Sequence, residues 1–175
     1  MFSDPEKNVA NFGLMPGMRV ADLGSGSGFY SLAAGKIVGE KGRVYAVDVQ
    51  KDLLAKLKNE AENIYKKNIE TIWGNIEKPG GSGLHDNFVD AVFLSNVLFQ
   101  TPDKAGLVKE ARRILKPKGR VLVIDWTSSF ENMGPTPENV LTSERAQEIF
   151  EEIGFALDRR MPAGAHHYGL IFKKI

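Results

Sequence analysis

The 175-residue chain contains no cysteine. That excludes a disulfide framework, a thiolate metal site and a cysteine nucleophile, and it fits a reducing compartment. An excess of one charge is also missing: 23 Lys and Arg stand against 22 Asp and Glu, for a formal net charge of +1. A dedicated nucleic-acid binder shows a strong basic footprint, so the sequence carries no strong nucleic-acid signature. No apolar run approaches the roughly 20 residues that span a bilayer, and no membrane segment is expected. Residues 1–6 lack the charged and apolar regions of a signal peptide. The expectation is a cytoplasmic protein. Repeats, low-complexity tracts and linkers are absent too, so one domain over residues 1–175 is the economical reading. With 42% hydrophobic and 26% charged residues, that length can bury a substantial core.

What the chain has is a regular alternation of strand-like and helix-like segments. Residues 18–23 read as a first strand. Residues 29–38 read as a helix with Phe29, Leu32, Ala33 and Ile37 on one face and Gly39 as its stop. Residues 43–47 form a short β-branched strand. Residues 52–65 form an amphipathic helix with the stripe Leu54, Leu57, Ala61 and Ile64. Residues 69–73 are a third strand, 77–87 a loop, and 88–95 a buried fourth strand. Asp103 caps a helix through Leu115, which Pro117 and Gly119 end. Residues 120–126 are almost wholly apolar, as in a central parallel strand covered on both faces. After a loop over 128–141, Ser143 caps a helix to Ile153. Residues 155–161 and 168–173 then make a strand pair. The class is α/β: strands joined by right-handed crossovers, helices on both faces, and ligands bound outside the carboxyl ends of the strands.

The most informative segment lies at the first of those ends. Val20, Ala21, Asp22 and Leu23 run into Gly24, Gly26 and Gly28, three glycines at alternate positions, and a helix follows at once. Glycine permits positive φ and close approach of a ligand to the backbone. The nicotinamide fingerprint GxGxxG needs its third glycine one place later, where this chain has Phe29. Asp48 ends the second strand 20 residues after Gly28, where an acid can accept hydrogen bonds from both hydroxyls of a ribose. Asn75 and Ile76 follow the third strand, suited to a base edge and a base face. Ser95 and Asn96 end the fourth.

In the stretches VADLGSGSG, VYAVDV, GNIE, DAVFLSNVL and LKPKGRVLVIDW, and in the closing strand pair, the chain resembles the class I S-adenosylmethionine-dependent methyltransferases. The resemblance covers about residues 17–173. It implies a three-layer αβα Rossmann-like fold with a seven-stranded, mostly parallel sheet of order 3-2-1-4-5-7-6, strand 7 antiparallel. It also implies S-adenosyl-L-methionine as cofactor. Carried over, Asp22, Gly24, Ser25 and Gly26 would hold the methionine moiety, and Gly28 would let the following helix approach the sheet. Asp48 would bind the ribose, Val49 and Ile76 would pack on adenine, and Asn75, where the family more often has Asp, would meet its amino group. Asn96 would contact the methionine end and Tyr30 would flank the cofactor. Residues 1–16 form an N-terminal segment placed to cover it.

Methyl transfer is an in-line displacement on an activated sulfonium, so positioning and water exclusion supply much of the catalysis, and a base is needed only where the nucleophile must lose a proton. The sequence marks no catalytic residue and no metal site. Substrate-side candidates are Trp126, which closes the fifth strand, and His167 and Tyr168, with Asp125 and His166 beside them. Strand alternation sends neighbours to opposite faces, which can turn one histidine to the pocket; the plainer reading is a turn histidine beside a packing residue. His85 reads as a solvated loop residue, and Arg112 and Arg113 as a helix surface. Asn96 to Phe99 do not form the Asn-Pro-Pro-aromatic motif of amino-group DNA methyltransferases. The lack of cysteine argues against base C5 methylation and against an arsenite methyltransferase. Phe99 and Gln100 stand where many arsenite and quinone methyltransferases have a His pair. With little chain for a lid, a small-molecule acceptor is expected. The competing readings are a non-catalytic S-adenosylmethionine-binding or partner subunit, and a nicotinamide-dependent oxidoreductase.

Overall fold

The apolar runs are strands because alternate residues feed two different cores. In the computed structural model, which describes residues 3–63, 67–130 and 133–175, the strands are β1 (Arg19–Leu23), β2 (Arg43–Asp48), β3 (Ile69–Trp73), β4 (Val89–Ser95), β5 (Leu115–Trp126), β6 (Phe155–Pro162) and β7 (His167–Lys174). The helices are α1 (Pro5–Phe12), α2 (Phe29–Val38), α3 (Lys51–Asn63), α4 (Lys104–Ile114) and α5 (Ser143–Glu152). Val20, Phe93, Leu122, Ile124 and Ile171 point to one face, with Val9 and Phe12 of α1 and Tyr30 and Val38 of α2. Ala21, Leu23, Val92, Leu94, Val121, Val123, Leu170 and Phe172 point to the other, with Leu107 and Ile114 of α4 and Phe150 of α5. Strands covered on both faces read as continuous apolar runs.

The seven strands lie in the order β3-β2-β1-β4-β5-β7-β6. Neighbours from β3 to β5 are parallel, and β7 runs antiparallel to both β5 and β6. The expected order and the reversed seventh strand are both present.

Several boundaries differ from the sequence reading. The helix expected through Leu115 stops at Ile114, and the fifth strand begins at Leu115 rather than at residue 120. Carbonyls at a helix end need partners, and here the chain entering β4 supplies them: Asn87 N donates to Arg113 O at 2.9 Å and Phe88 N to Ile114 O at 2.7 Å. Leu115 is then in register with Val89. The last helix is capped by Thr142, whose side chain accepts from Arg145 N, and not by Ser143. Phe29, assigned to the buried face of α2, is 64% exposed; Tyr30 takes the core position beside it. Ile64 and Tyr65, at the expected end of α3, lie outside the described residues.

Arg113 is not a solvated helix residue. Buried Glu110 accepts from Gly80 N (2.9 Å), Ser82 N (3.0 Å), Ser82 Oγ (2.6 Å) and Arg113 Nη2 (2.7 Å), while Arg113 also donates to Leu84 O at 2.7 Å. Burial alone would raise the Glu110 pKa, but the bonds from Arg113 and Ser82 outweigh it and bring the carboxyl down to about 2. The cluster pins the loop after β3 against α4.

Candidate active site

The carboxyl ends of β1, β2, β4 and β5 and the turn after β3 open into one cavity of about 650 Å³. The turn after β1 forms its floor. Gly24 N and Ser25 N both donate to Val47 O, at 2.8 and 3.1 Å, and Gly26 N donates to Asp48 Oδ2 at 2.8 Å. The loop is therefore tied to the end of β2. At Gly28, φ is +80° and a Cβ would stand 2.3 Å from Leu57 Cδ1. The close approach that this glycine permits is of α2's N-terminus to α3, not to the sheet as the sequence reading had it. A Cβ on Gly26 would meet no atom within 4 Å, and Gly26 lines the cavity.

Two carboxylates flank the loop. Asp48 Oδ1 accepts from Gln50 N at 2.8 Å while Oδ2 holds Gly26 N. Asp22 is 1% exposed and accepts from Ser31 Oγ at 2.6 Å. Burial raises the Asp22 carboxyl to about 6; the Ser31 hydroxyl opposes the rise and nearby Asp48 adds to it.

Asn96 adopts φ +54°, a left-handed conformation that Asn tolerates better than most residues. Its Oδ1 is buried without a hydrogen bond, and so are Ser25 Oγ and His167 Nδ1. All three residues line this cavity. An unsatisfied buried polar atom costs about 1–3 kcal/mol. Three at one site mark a surface built to be completed by a bound molecule.

At the outer end, Val49 is 56% exposed and lines the cavity with the buried Ile76. Asn75 Oδ1 already accepts from Glu77 N at 3.0 Å; its second lone pair and its amide N–H groups remain for a ligand. Tyr30 also lines the cavity. Its hydroxyl lies 2.7 Å from Ser3 Oγ and 3.0 Å from Asn8 Nδ2, and Asn8 Nδ2 is 3.3 Å from Ala163 O. These contacts lay α1 across α2 and the β6–β7 turn and bring Ser3 and Pro5 to the cavity rim.

The opposite wall comes from β5 and β7. Trp126 and His167 are paired across the ladder, with ring centroids 4.3 Å apart. Met133 adjoins them in the lining. A Cβ on Gly134 would lie 2.7 Å from Trp126 Cδ2, so the segment after β5 is laid directly on the indole. Burial holds the His167 imidazole below its usual pKa, and His166 adds to the effect. Tyr168, named with His167 as a substrate-side candidate, is absent from the lining: the strand alternation turns it to the other face, onto the core with Leu170 and Phe172. Burial there pushes its phenol above the ordinary value.

Asp125 also sits behind the wall. It accepts from Phe99 N at 3.1 Å and Trp126 N at 2.8 Å, and burial raises it to about 6 against those backbone bonds. It joins the short helical turn Leu98–Gln100 to the end of β5. His85 packs edge-on to Phe88 at 6.0 Å, away from the cavity. The sequence reading missed Phe29, Gln50, Gln100 and Thr101 in the lining; Met133 belongs to the 128–141 segment, which was expected to cover the acceptor side. Exposure of an aromatic directly after a glycine turn was the one available signal, and helical periodicity masked it. Among the described residues, no three His, Cys, Asp or Glu side chains cluster as metal ligands.

Residues 14–154 match the family model of the methyltransferase domain. A SAM-dependent methyltransferase from Aquifex aeolicus superposes with a TM-score of 0.89 at 32% identity, covering 99% of this chain and 91% of that one. A demethylmenaquinone methyltransferase of Bacillus mycoides is 33% identical over 111 residues, 63% of this chain and 45% of the relative. An arsenite methyltransferase of Halobacterium salinarum is 31% identical over 127 residues, 73% of this chain and 31% of the relative. The chain thus spans less than half the length of these last two relatives.

Proposed function

The chain belongs to the S-adenosylmethionine-dependent methyltransferase family, and from that premise we propose that it binds S-adenosyl-L-methionine in this cavity and transfers the methyl group to a small-molecule acceptor. The observation that carries the reading is the row of unpartnered buried atoms, Ser25 Oγ and Asn96 Oδ1, beside the Asp48 carboxylate and the open face of Gly26. The residues fit the cofactor's chemistry. Asp22 and the loop at Gly24, Ser25 and Gly26 offer a carboxylate, backbone and hydroxyl to an amino-acid end, with Asn96 beyond them. Asp48 offers acceptors to ribose hydroxyls. Val49, Ile76 and Asn75 offer an apolar face and a polar edge to a purine. The cofactor supplies a methyl group on an activated sulfur; the chain's residues orient it and exclude water.

The acceptor is not carried over from the named relatives. Without cysteine, the chain offers no thiolate to arsenic. The segments packed over the rim, α1 and the stretch carrying Met133 and Gly134, are short, which favours a small acceptor over a macromolecule. No helix among the described residues is long and apolar enough to cross a membrane. Calorimetric titration with S-adenosylhomocysteine and NAD tests the donor site: S-adenosylhomocysteine is expected to bind and NAD is not. The reverse result would overturn the reading. Labelled donor incubated with fractionated cell extract tests the acceptor, and label confined to macromolecules would refute a small molecule. Cofactor binding without turnover on any fraction would favour a non-catalytic binding subunit.

A further inference from the structure

The donor-binding groups leave the Trp126–His167 wall unused. His167 is only 6% exposed, yet its Nδ1 has no partner, and no hydrogen bond among the described residues engages its ring. Its ring lies at 41° to the Trp126 indole, which holds the imidazole in the wall by packing rather than by polar contacts. Buried imidazoles are ordinarily hydrogen-bonded. Nδ1 is closed off from solvent, so the nitrogen left for whatever enters the cavity is Nε2, to which no hydrogen bond among the described residues runs. The wall also discriminates by charge. None of the described lining residues is Lys or Arg, while Asp22, Asp48 and Glu77 contribute carboxylates. An anionic acceptor finds no counter-charge there. A flat neutral one finds an indole, an imidazole and the Met133 thioether.

We propose that the acceptor is a neutral aromatic hydroxyl compound stacked against this wall, and that His167 takes its proton; this rests on the methyl-transfer reading above. The acceptor O–H bond breaks and its proton passes to an imidazole nitrogen. The oxygen electron pair forms the bond to the methyl carbon as the carbon–sulfur bond breaks, and that bond's pair stays on sulfur. The imidazolium then gives its proton to water. Burial, with His166 next in the chain, keeps the imidazole unprotonated near neutral pH, ready to accept. His166 itself packs against Phe130, with the rings tilted at 32° and their centroids 4.0 Å apart. The β5 neighbour Trp126 and the β6 residues Met161 and Pro162 bring no charge. The carboxylates sharing the cavity are Asp22, Asp48 and Glu77.

The test uses 4-nitrophenol, whose neutral and ionised forms absorb differently, and 4-nitroanisole, which has the same ring and no proton to give. Both are titrated at a pH below the phenol's own pKa into the full chain saturated with S-adenosylhomocysteine. The wild type is expected to bind the phenol in its neutral form, hydrogen-bonded to the imidazole, because burial keeps the imidazole a weak base until the methyl group moves. His167→Phe, which keeps the ring against Trp126, is expected to bind the phenol about tenfold more weakly, near 1.4 kcal/mol, and the anisole within about twofold of wild type. His167→Gln restores a hydrogen-bond acceptor but no base, and is expected to regain affinity while failing to methylate the phenol when S-adenosylmethionine replaces S-adenosylhomocysteine. Equal loss of both ligands, or no loss of the phenol, overturns the proposal. So does a wild-type complex that binds the anisole as tightly as the phenol, a result that needs no variant to fold. Failure of the wild type to bind S-adenosylhomocysteine would sink the donor reading instead.

Discussion

Replacing Gly28 by Ala probes the joint on which the glycine turn rests. Two costs follow from the structure. At φ +80° an alanine sits in the left-handed region, at about 1–2 kcal/mol. Its methyl would also lie 2.3, 2.6 and 2.8 Å from Cδ1, Cδ2 and Cγ of Leu57, a side chain with no exposure that cannot swing into solvent. Overpacking of this kind costs about 1–3 kcal/mol. The single change is therefore expected to destabilise by about 2–5 kcal/mol. Leu57→Ala alone removes a core side chain, at about 2–5 kcal/mol. In the double variant the new methyl occupies part of the space Leu57 leaves, so only the backbone strain persists beside a smaller cavity. The two changes should then fall short of additivity by about 1–3 kcal/mol. Urea unfolding, read as a midpoint shift at constant slope, measures all four corners of the cycle. Additivity within about 0.5 kcal/mol would refute the contact between Gly28 and Leu57. A single-variant loss below about 1 kcal/mol would refute the left-handed assignment as well.

Asp48→Ala should weaken S-adenosylhomocysteine binding by about 1.5–3 kcal/mol, because the carboxylate orders Gly26 and Gln50 and is proposed to bind the ribose; unchanged affinity in a folded variant would contradict that role. Asp22 stands at about 6 in the free protein, so a cationic group of the ligand favours its charged form. Affinity should rise with pH between about 5 and 7, by no more than tenfold per unit, with proton release visible in calorimetry; Asp22→Asn should flatten that dependence. Glu110, lowered from 4.5 to about 2, stabilises the fold fully above its unfolded pKa and progressively less as pH falls toward 2. On the order of 3 kcal/mol is at stake. Glu110→Gln should remove most of this acid sensitivity, and a variant with an unchanged pH–stability curve would show that the loop is held otherwise.

The sheet was legible because its signals are local. Val20 to Leu23, Val92 to Leu94 and Val121 to Ile124 are continuous apolar runs, and only a strand covered on both faces makes use of such a run. The ends of elements were less legible, because they depend on distant partners. Nothing near Ile114 in the chain indicates that Asn87 and Phe88 will take the helix's last carbonyls. Nor does the sequence distinguish Phe29 from Tyr30, adjacent aromatics at a helix start. Both reach the cavity, but Phe29 stays largely exposed there. Tyr30 became core through Asn8 and Phe93.

By itself the sequence determined the α/β alternation and the glycine turn with its acids on the first and second strands. It also removed thiolate chemistry by lacking cysteine. These follow from backbone conformation, period and composition, which do not depend on what lies across the fold. Only the tertiary structure decided which side chains meet. Period-two alternation says that His167 and Tyr168 part company, but not which goes where. The pairing of His167 with Trp126 and of Tyr168 with Asp125 settles that. It leaves an unpartnered imidazole at the cavity wall and a tyrosine in the core. The glycine turn, tied to β2 through Val47 and Asp48, could be recognised from spacing. The acceptor wall could not, because it is assembled from β5, β7 and the segment after β5 only when the reversed seventh strand comes to lie beside the fifth.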